Sequence, residues 1–204
     1  MSLIALTVIE LFANAHVIWN QLYTGYSEDV NSTYVASVTN VIGGIQEEDP
    51  APFHRIDRTT TRVDSAALNE GLALGYNQLS SYSSANNPQA IALLDSLGYS
   101  SVGEFSTRYA EPILAVDALL KVKHTIAEHA PAGYTATKTI QNGTESAVYE
   151  NPYVLSVGVA ASNDIKNSEL NGANSFEKQN DLYSKILGRN IERLATLLSL
   201  MKLL

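Results

Sequence analysis

The strongest constraint on this chain is that its two ends are its most hydrophobic stretches. Apolar residues recur at helical spacing from Leu3 to Tyr23 and again from Tyr183 to Leu204, where the sequence runs out as Leu-Ser-Leu-Met-Lys-Leu-Leu. Termini fray in water unless something holds them, so these ends are expected to need a groove in the chain itself or in a partner. The first run carries two adjacent stripes, Ile4, Val8, Leu11, Ala15, Ile18 and Leu22 beside Ala5, Ile9, Phe12, Trp19 and Tyr23. Only a thin polar strip is left, the pattern of a helix buried from two sides. A signal peptide is not expected, because no Lys or Arg precedes the run and Glu10 interrupts it. Nor is a membrane span, since Glu10, Asn14, His16, Asn20 and Gln21 break the ~20-residue apolar stretch a bilayer demands. The segment reads as a core or interface helix.

A chain of 204 residues can bury a sizeable core. It is expected to form a single domain over 1–204, with a small β/loop insertion at 134–174. There is no cysteine, which excludes disulfides, thiolate nucleophiles and iron–sulfur clusters. With 13 basic and 21 acidic residues the net charge is −8. Such a chain repels phosphate backbones, so nucleic acid is not an expected partner. Its polar character comes from Ser, Thr, Asn and Gln, and it has 11 Tyr against 4 Phe and 1 Trp. That balance resembles virion, surface and secreted proteins more than cytosolic enzymes, and favours a virion or extracellular location.

Along the chain, helix is expected from Ser2 to Tyr23, with Gly25 as a stop. Residues 25 to 50 fit helix or strand equally, being acidic at both edges and β-branched in the middle. Asp49-Pro50-Ala51-Pro52 reads as an extended connector. Asp64 is expected to cap a helix to about Tyr82, in which Ala67, Gly71 and Gly75 would admit a close helix neighbour. Pro88 opens a short helix closed by Gly98. Ser101-Val102-Gly103-Glu104 has capping-box form and predicts a helix to about His129, broken or restarted at Pro112. Beyond Pro131 the period changes, and Asn142-Gly143 predicts a hairpin between 134–140 and 144–149, with a third strand at 153–159. Ser175 is the expected N-cap of a last helix, its face formed by Tyr183, Leu187, Ile191, Leu194, Leu198 and Met201, with Asp181 and Lys185 paired at i,i+4.

Four constellations carry candidate chemistry. Arg55, Arg58 and Arg62 form a cationic cluster able to grip an anion or an acidic partner, such as the Glu47-Glu48-Asp49 patch of another copy; pairing with Asp57 and Asp64 is the intrachain alternative. His124 and Glu128 stand at i,i+4 on the expected helix, as one side of a carboxylate–histidine site or as an ion pair. His54 and Asp57 with a nearby Ser or Thr supply the residue types of a nucleophilic triad, with no Gly-x-Ser-x-Gly elbow to position them. Asn31-Ser32-Thr33 and Asn142-Gly143-Thr144 are sequons, meaningful only in a eukaryotic secretory setting. No phosphate-binding loop is present, and neither a cofactor nor a metal is expected.

The expectation is therefore a mainly α protein, a helical bundle with paired N- and C-terminal helices and a β-hairpin excursion around 134–159. Its expected role is that of a structural subunit of a virion particle or extracellular filament. Self-association would run through Ile9, Phe12 and Trp19 at one end and Leu194, Leu198, Met201 and Leu204 at the other, with copies of itself or other structural subunits as partners. The layout is similar to that of filament subunits such as flagellin, without any flagellin motif. The alternative is an intracellular helical enzyme or small-ligand-binding domain with an interhelical pocket, using His124, Glu128, Arg108 or the arginine segment.

Overall fold

The computed structural model describes residues 3–23, 28–50, 53–59, 68–141, 145–167 and 169–191. They fall into two compact units, Met1–Glu48 and Asp49–Leu204. The first holds two helices, α1 (Leu3–Tyr23) and α2 (Glu28–Glu48). Residues 28–48 are thus helical: Val38, Ile42 and Ile45 recur at i, i+4 and i+7 and are buried, a period that outweighs the β-branched content. Along α1 every side chain from Leu3 to Gln21 is exposed.

The second unit overturns the expected helical bundle. Its described residues form α/β structure, with four α-helices, a four-stranded sheet and a three-stranded sheet. In the larger sheet β1 (Arg55–Arg58) runs parallel to β5 (Val122–Ala127), which pairs antiparallel with β7 (Glu145–Glu150), itself paired with β6 (Thr135–Gln141). The hairpin at 134–149 therefore stands, its turn at 142–144 lying outside the described residues. No strand forms at 153–159, because the free edge of β7 is taken by β5.

Helix-breaking backbone explains where the helical expectations failed. Within the helix expected over 64–82, the described residues contain only α3 (Glu70–Leu74), ended by Gly75 at φ 79°. The close neighbour of Gly71 is the chain's own next turn, since a Cβ there would strike the Tyr76 carbonyl oxygen. The helix expected from Ser101 is instead a hairpin, β3 (Ser100–Val102) and β4 (Ser106–Arg108), turned by Gly103 at φ 57°. β2 (Ser81–Tyr82) completes that sheet. A short α5 (Leu114–Leu120) follows, stopped by Lys121 in the left-handed region at φ 59°. The residues after it, Val122-Lys-His-Thr-Ile-Ala, are β-branched at three positions and buried on both faces, as suits a parallel pairing.

Asn87 caps α4 (Pro88–Ser96), accepting from the Gln89 and Ala90 amides. α6 (Ser175–Leu187) is capped by Asn174 rather than Ser175: Asn174 Oδ1 accepts from the Glu177 amide at 3.0 Å while Glu177 Oε2 accepts from Ala173 N–H at 2.7 Å. The expected Asp181–Lys185 pair is present at 2.7 Å. α6 stops at Gly188, φ 63°, so it does not continue to the C-terminus as one helix; Leu194, Leu198, Met201 and Leu204 lie outside the described residues. The core of the unit gathers Leu97, Tyr99, Tyr109, Val116, Val122 and Leu182.

Candidate functional site

The parallel pairing of β1 with β5 brings together side chains that are remote in sequence. His54 immediately precedes β1, and His124 lies on β5, opposite Ile56 on one side and Glu150 on the other. Between the Arg55–Val122 and Ile56–His124 pairs the register slips by one residue, leaving Lys123 unopposed. A bulge of this kind re-aims side chains, and here both Lys123 and His124, consecutive in a strand, reach one carboxylate oxygen. Asp49 Oδ2 stands 2.7 Å from Lys123 Nζ, 3.3 Å from His124 Nε2 and 3.6 Å from His54 Nδ1. Lys123 Nζ is also 3.5 Å from Glu150 Oε1. The imidazoles meet edge to face, with ring centroids 5.4 Å apart.

Both histidines are more than nine-tenths buried. Burial lowers the His124 pKa, against the pull of the Asp49 carboxylate. For Lys123, burial pulls downward but the hydrogen bond and charge of Asp49 outweigh it, leaving the ammonium firmly protonated. His124 Nδ1 is buried with no hydrogen-bond partner among the described residues. Leaving such an atom unsatisfied costs about 1–3 kcal/mol. One ligand atom from each of Asp49, His54 and His124 lies within 4.8 Å of the others.

Two further buried carboxylates are closed by protein groups. Asp117 accepts from Tyr99 Oη at 2.6 Å, Tyr109 Oη at 2.8 Å, Tyr134 Oη at 2.5 Å and the Ile113 amide at 2.8 Å. Asp57 accepts from the Leu79 and Ser80 amides, the Ser80 hydroxyl and the Arg58 amide. Burial pushes each up to about 6, with these hydrogen bonds pulling the other way. The same burial, with Asp117 beside them, raises the three tyrosines. Both networks tie β1, β5 and the loops around them into the core.

The arginine segment is partly spent within the chain. Arg58 Nη1 pairs with Glu70 Oε1 at 3.1 Å, an oxygen that also accepts from Tyr76 Oη. Glu70 is thus a partner that the sequence reading did not name; the Arg58 amide, not its guanidinium, donates to Asp57 Oδ1 at 3.0 Å, and Asp64 lies outside the described residues. Arg55 donates to the Leu120 carbonyl and lies over the Phe53 ring; Arg62 is outside the described residues. The triad and helix-face readings also dissolve: Asp57 is engaged by Ser80 and Leu79, and His124 sits in a strand, so the i,i+4 relation to Glu128 has no helix to act on. Ile9, Phe12 and Trp19 are 55%, 78% and 63% exposed. Asp49, read as part of the Glu47-Glu48-Asp49 patch, and Lys123 were not singled out by sequence as partners of either histidine; an acidic run ahead of Pro50 and a Lys before His124 carry no spacing signal.

Among the described residues one helix, Leu3–Gln21, is long and apolar enough to cross a membrane by length and composition. A chain so built is matched over residues 1–202 by the model of a family described as bacterial membrane protein YfhO. The chain belongs to that family. No curated protein and no solved structure matches it. The match is to a bacterial membrane-protein family and lends nothing to the virion or filament setting expected from layout and composition, while the α/β fold replaces the expected helical bundle.

Proposed function

We propose that this is a membrane-anchored protein in which α1 crosses the bilayer and Asp49–Leu204 forms an α/β unit outside it. The observation that carries this reading is α1 itself, apolar over most of its surface yet exposed at every side chain from Leu3 to Gln21. Nineteen residues at 1.5 Å each give about 28 Å, close to the ~30 Å hydrocarbon thickness. Its polar residues, which argued against a span from sequence, are arranged to lower the cost. Thr7 Oγ1 bonds back to the Leu3 carbonyl at 3.1 Å, and Asn20 meets His16 at 3.0 Å one turn away. At about 100° per residue, Thr7, Glu10, Asn14 and Gln21 fall in one narrow sector, a face suited to a neighbouring helix rather than to lipid. Ile4, Val8, Leu11, Ala15 and Ile18 fill the adjoining sector and suit acyl chains.

The test is fractionation of the full chain expressed in a bacterium, with intact mass measured on the purified protein. Retention in alkali-washed membranes, release by detergent and an intact N-terminal segment are expected. A double substitution on the apolar face, Leu11→Arg with Ala15→Arg, should move protein to the soluble or degraded fraction. Recovery of the native chain from the aqueous fraction, or loss of Met1–Tyr23 by cleavage, would overturn the proposal.

A further inference from the structure

We propose that Asp49, His54 and His124 form a binding site for a zinc-class divalent ion, with Lys123 as the resident cation that the metal displaces. No metal is expected from the sequence pattern, yet the geometry of Asp49, His54 and His124 supports one whether or not α1 spans a bilayer. A lysine–aspartate pair alone has no use for two imidazoles more than nine-tenths buried and turned onto the same carboxylate. A tetrahedral ion with ligand bonds of about 2.0–2.1 Å holds its donor atoms roughly 3.3 Å apart. His124 Nε2 and His54 Nδ1 stand 3.3 and 3.6 Å from Asp49 Oδ2, and the three-residue donor set spans no more than 4.8 Å. Closing that set around an ion takes a movement of about an ångström, within reach of side-chain rotation.

The place of the ion is held by an ammonium. Lys123 Nζ is 2.7 Å from the same Oδ2, on a side chain 26% exposed, and Glu150 Oε1 waits 3.5 Å away. Lys123 can therefore swing off Asp49 and remain paired with Glu150, so exchange of ammonium for metal leaves neither carboxylate bare. The strand bulge at Lys123 is what allows both the placeholder and the ligand His124 to face Asp49. Two imidazoles and one carboxylate favour Zn²⁺ and its neighbours over Mg²⁺ or Ca²⁺, which prefer all-oxygen shells. Three protein donors leave a fourth position for water or a ligand.

The experiment is calorimetric titration of the untagged full chain in detergent, stripped with chelator, with Zn²⁺, alongside the visible absorption of Co²⁺ as a substitute ion. One ion per chain is expected, with excess Mg²⁺ failing to compete and Co²⁺ giving a tetrahedral-type spectrum. The chain has four histidines, which supplies an internal control. His54→Gln and His124→Gln should each weaken binding by at least about tenfold, whereas His16→Gln with His129→Gln should leave it unchanged. Lys123→Met removes the competitor without touching a ligand, and should tighten binding while the Co²⁺ spectrum persists. This variant keeps the proposal testable should a buried histidine substitution unfold the chain. Absence of saturable Zn²⁺ binding, binding that survives loss of both His54 and His124, or weaker binding by Lys123→Met would each overturn it.

Discussion

Asp117 has no exposure and four donors, a carboxylate whose two oxygens are both fully engaged. Replacing it by Asn keeps the volume but turns one acceptor into a donor facing tyrosine hydroxyls. With buried unsatisfied groups costing about 1–3 kcal/mol each, Asp117→Asn should destabilise by roughly 2–4 kcal/mol. Tyr99→Phe, which deletes one donor and leaves the charge otherwise served, should cost about 1.5–3 kcal/mol. Denaturant unfolding of the full chain in detergent, followed by near-ultraviolet circular dichroism, reads both; equal stability of Asp117→Asn and the parent would remove Asp117 as the organiser of this core. Residues of this sort were visible in the sequence as types but not as neighbours. Nothing local marks Tyr99, Tyr109 or Tyr134 as bound to a buried carboxylate. His54 and His124 each pair on paper with a sequence neighbour, Asp57 or Glu128, whereas both meet Asp49, which lies five residues before His54 and which the β1–β5 pairing brings to His124.

At the level of elements, the sequence was readable where the punctuation was local and failed where tertiary pairing decided. The Asn142-Gly143 hairpin, the short helix at Pro88 and the Asp181–Lys185 pair all follow from signals within a few residues. Ser101-Val102-Gly103-Glu104 satisfies a capping-box pattern equally well as a hairpin turn, and only the pairing of Ser100–Val102 with Ser106–Arg108 decides between them. Likewise Val122–Ala127 carries helix-compatible apolar spacing but is claimed by β1 and β7 on either side. The last helix shows both behaviours, its start off by one residue and its end set by a glycine. Asn174→Ala should cost about 1 kcal/mol through the lost cap. Gly188→Ala should cost about 1–2 kcal/mol, because a side chain at φ 63° is strained in the left-handed region and its Cβ would press on Ser162. Both shifts should appear in thermal unfolding; if Gly188→Ala is neutral, α6 does not end where the backbone says it does.

For the molecule as a whole, the balance of charge and burial sets the response to pH. Asp57 is fully enclosed beside Leu79 and Ser80, and burial raises its pKa to about 6, above the ordinary 3.8. A carboxyl whose pKa is higher in the folded than in the unfolded state binds more protons when folded. Its contribution to stability is fully present below about pH 4 and is lost as pH rises through about 6. Asp57→Asn cannot titrate. The stability gap between parent and variant should therefore be largest near pH 4 and shrink by roughly 3 kcal/mol as pH rises through about 6. Asp117, raised for the same reason, adds a slope of the same sign in the parent and in Asp57→Asn alike, so it drops out of the difference. Asp181, which burial pulls upward but which the hydrogen bond and charge of Lys185 together with the Asn171 amide hold below its ordinary value, acts in the opposite direction and also cancels. Urea unfolding of both proteins in detergent across this range measures the gap directly. A gap that widens with rising pH would mean that the four donors around Asp57 outweigh its burial, and that the folded state holds the carboxylate more tightly than the acid.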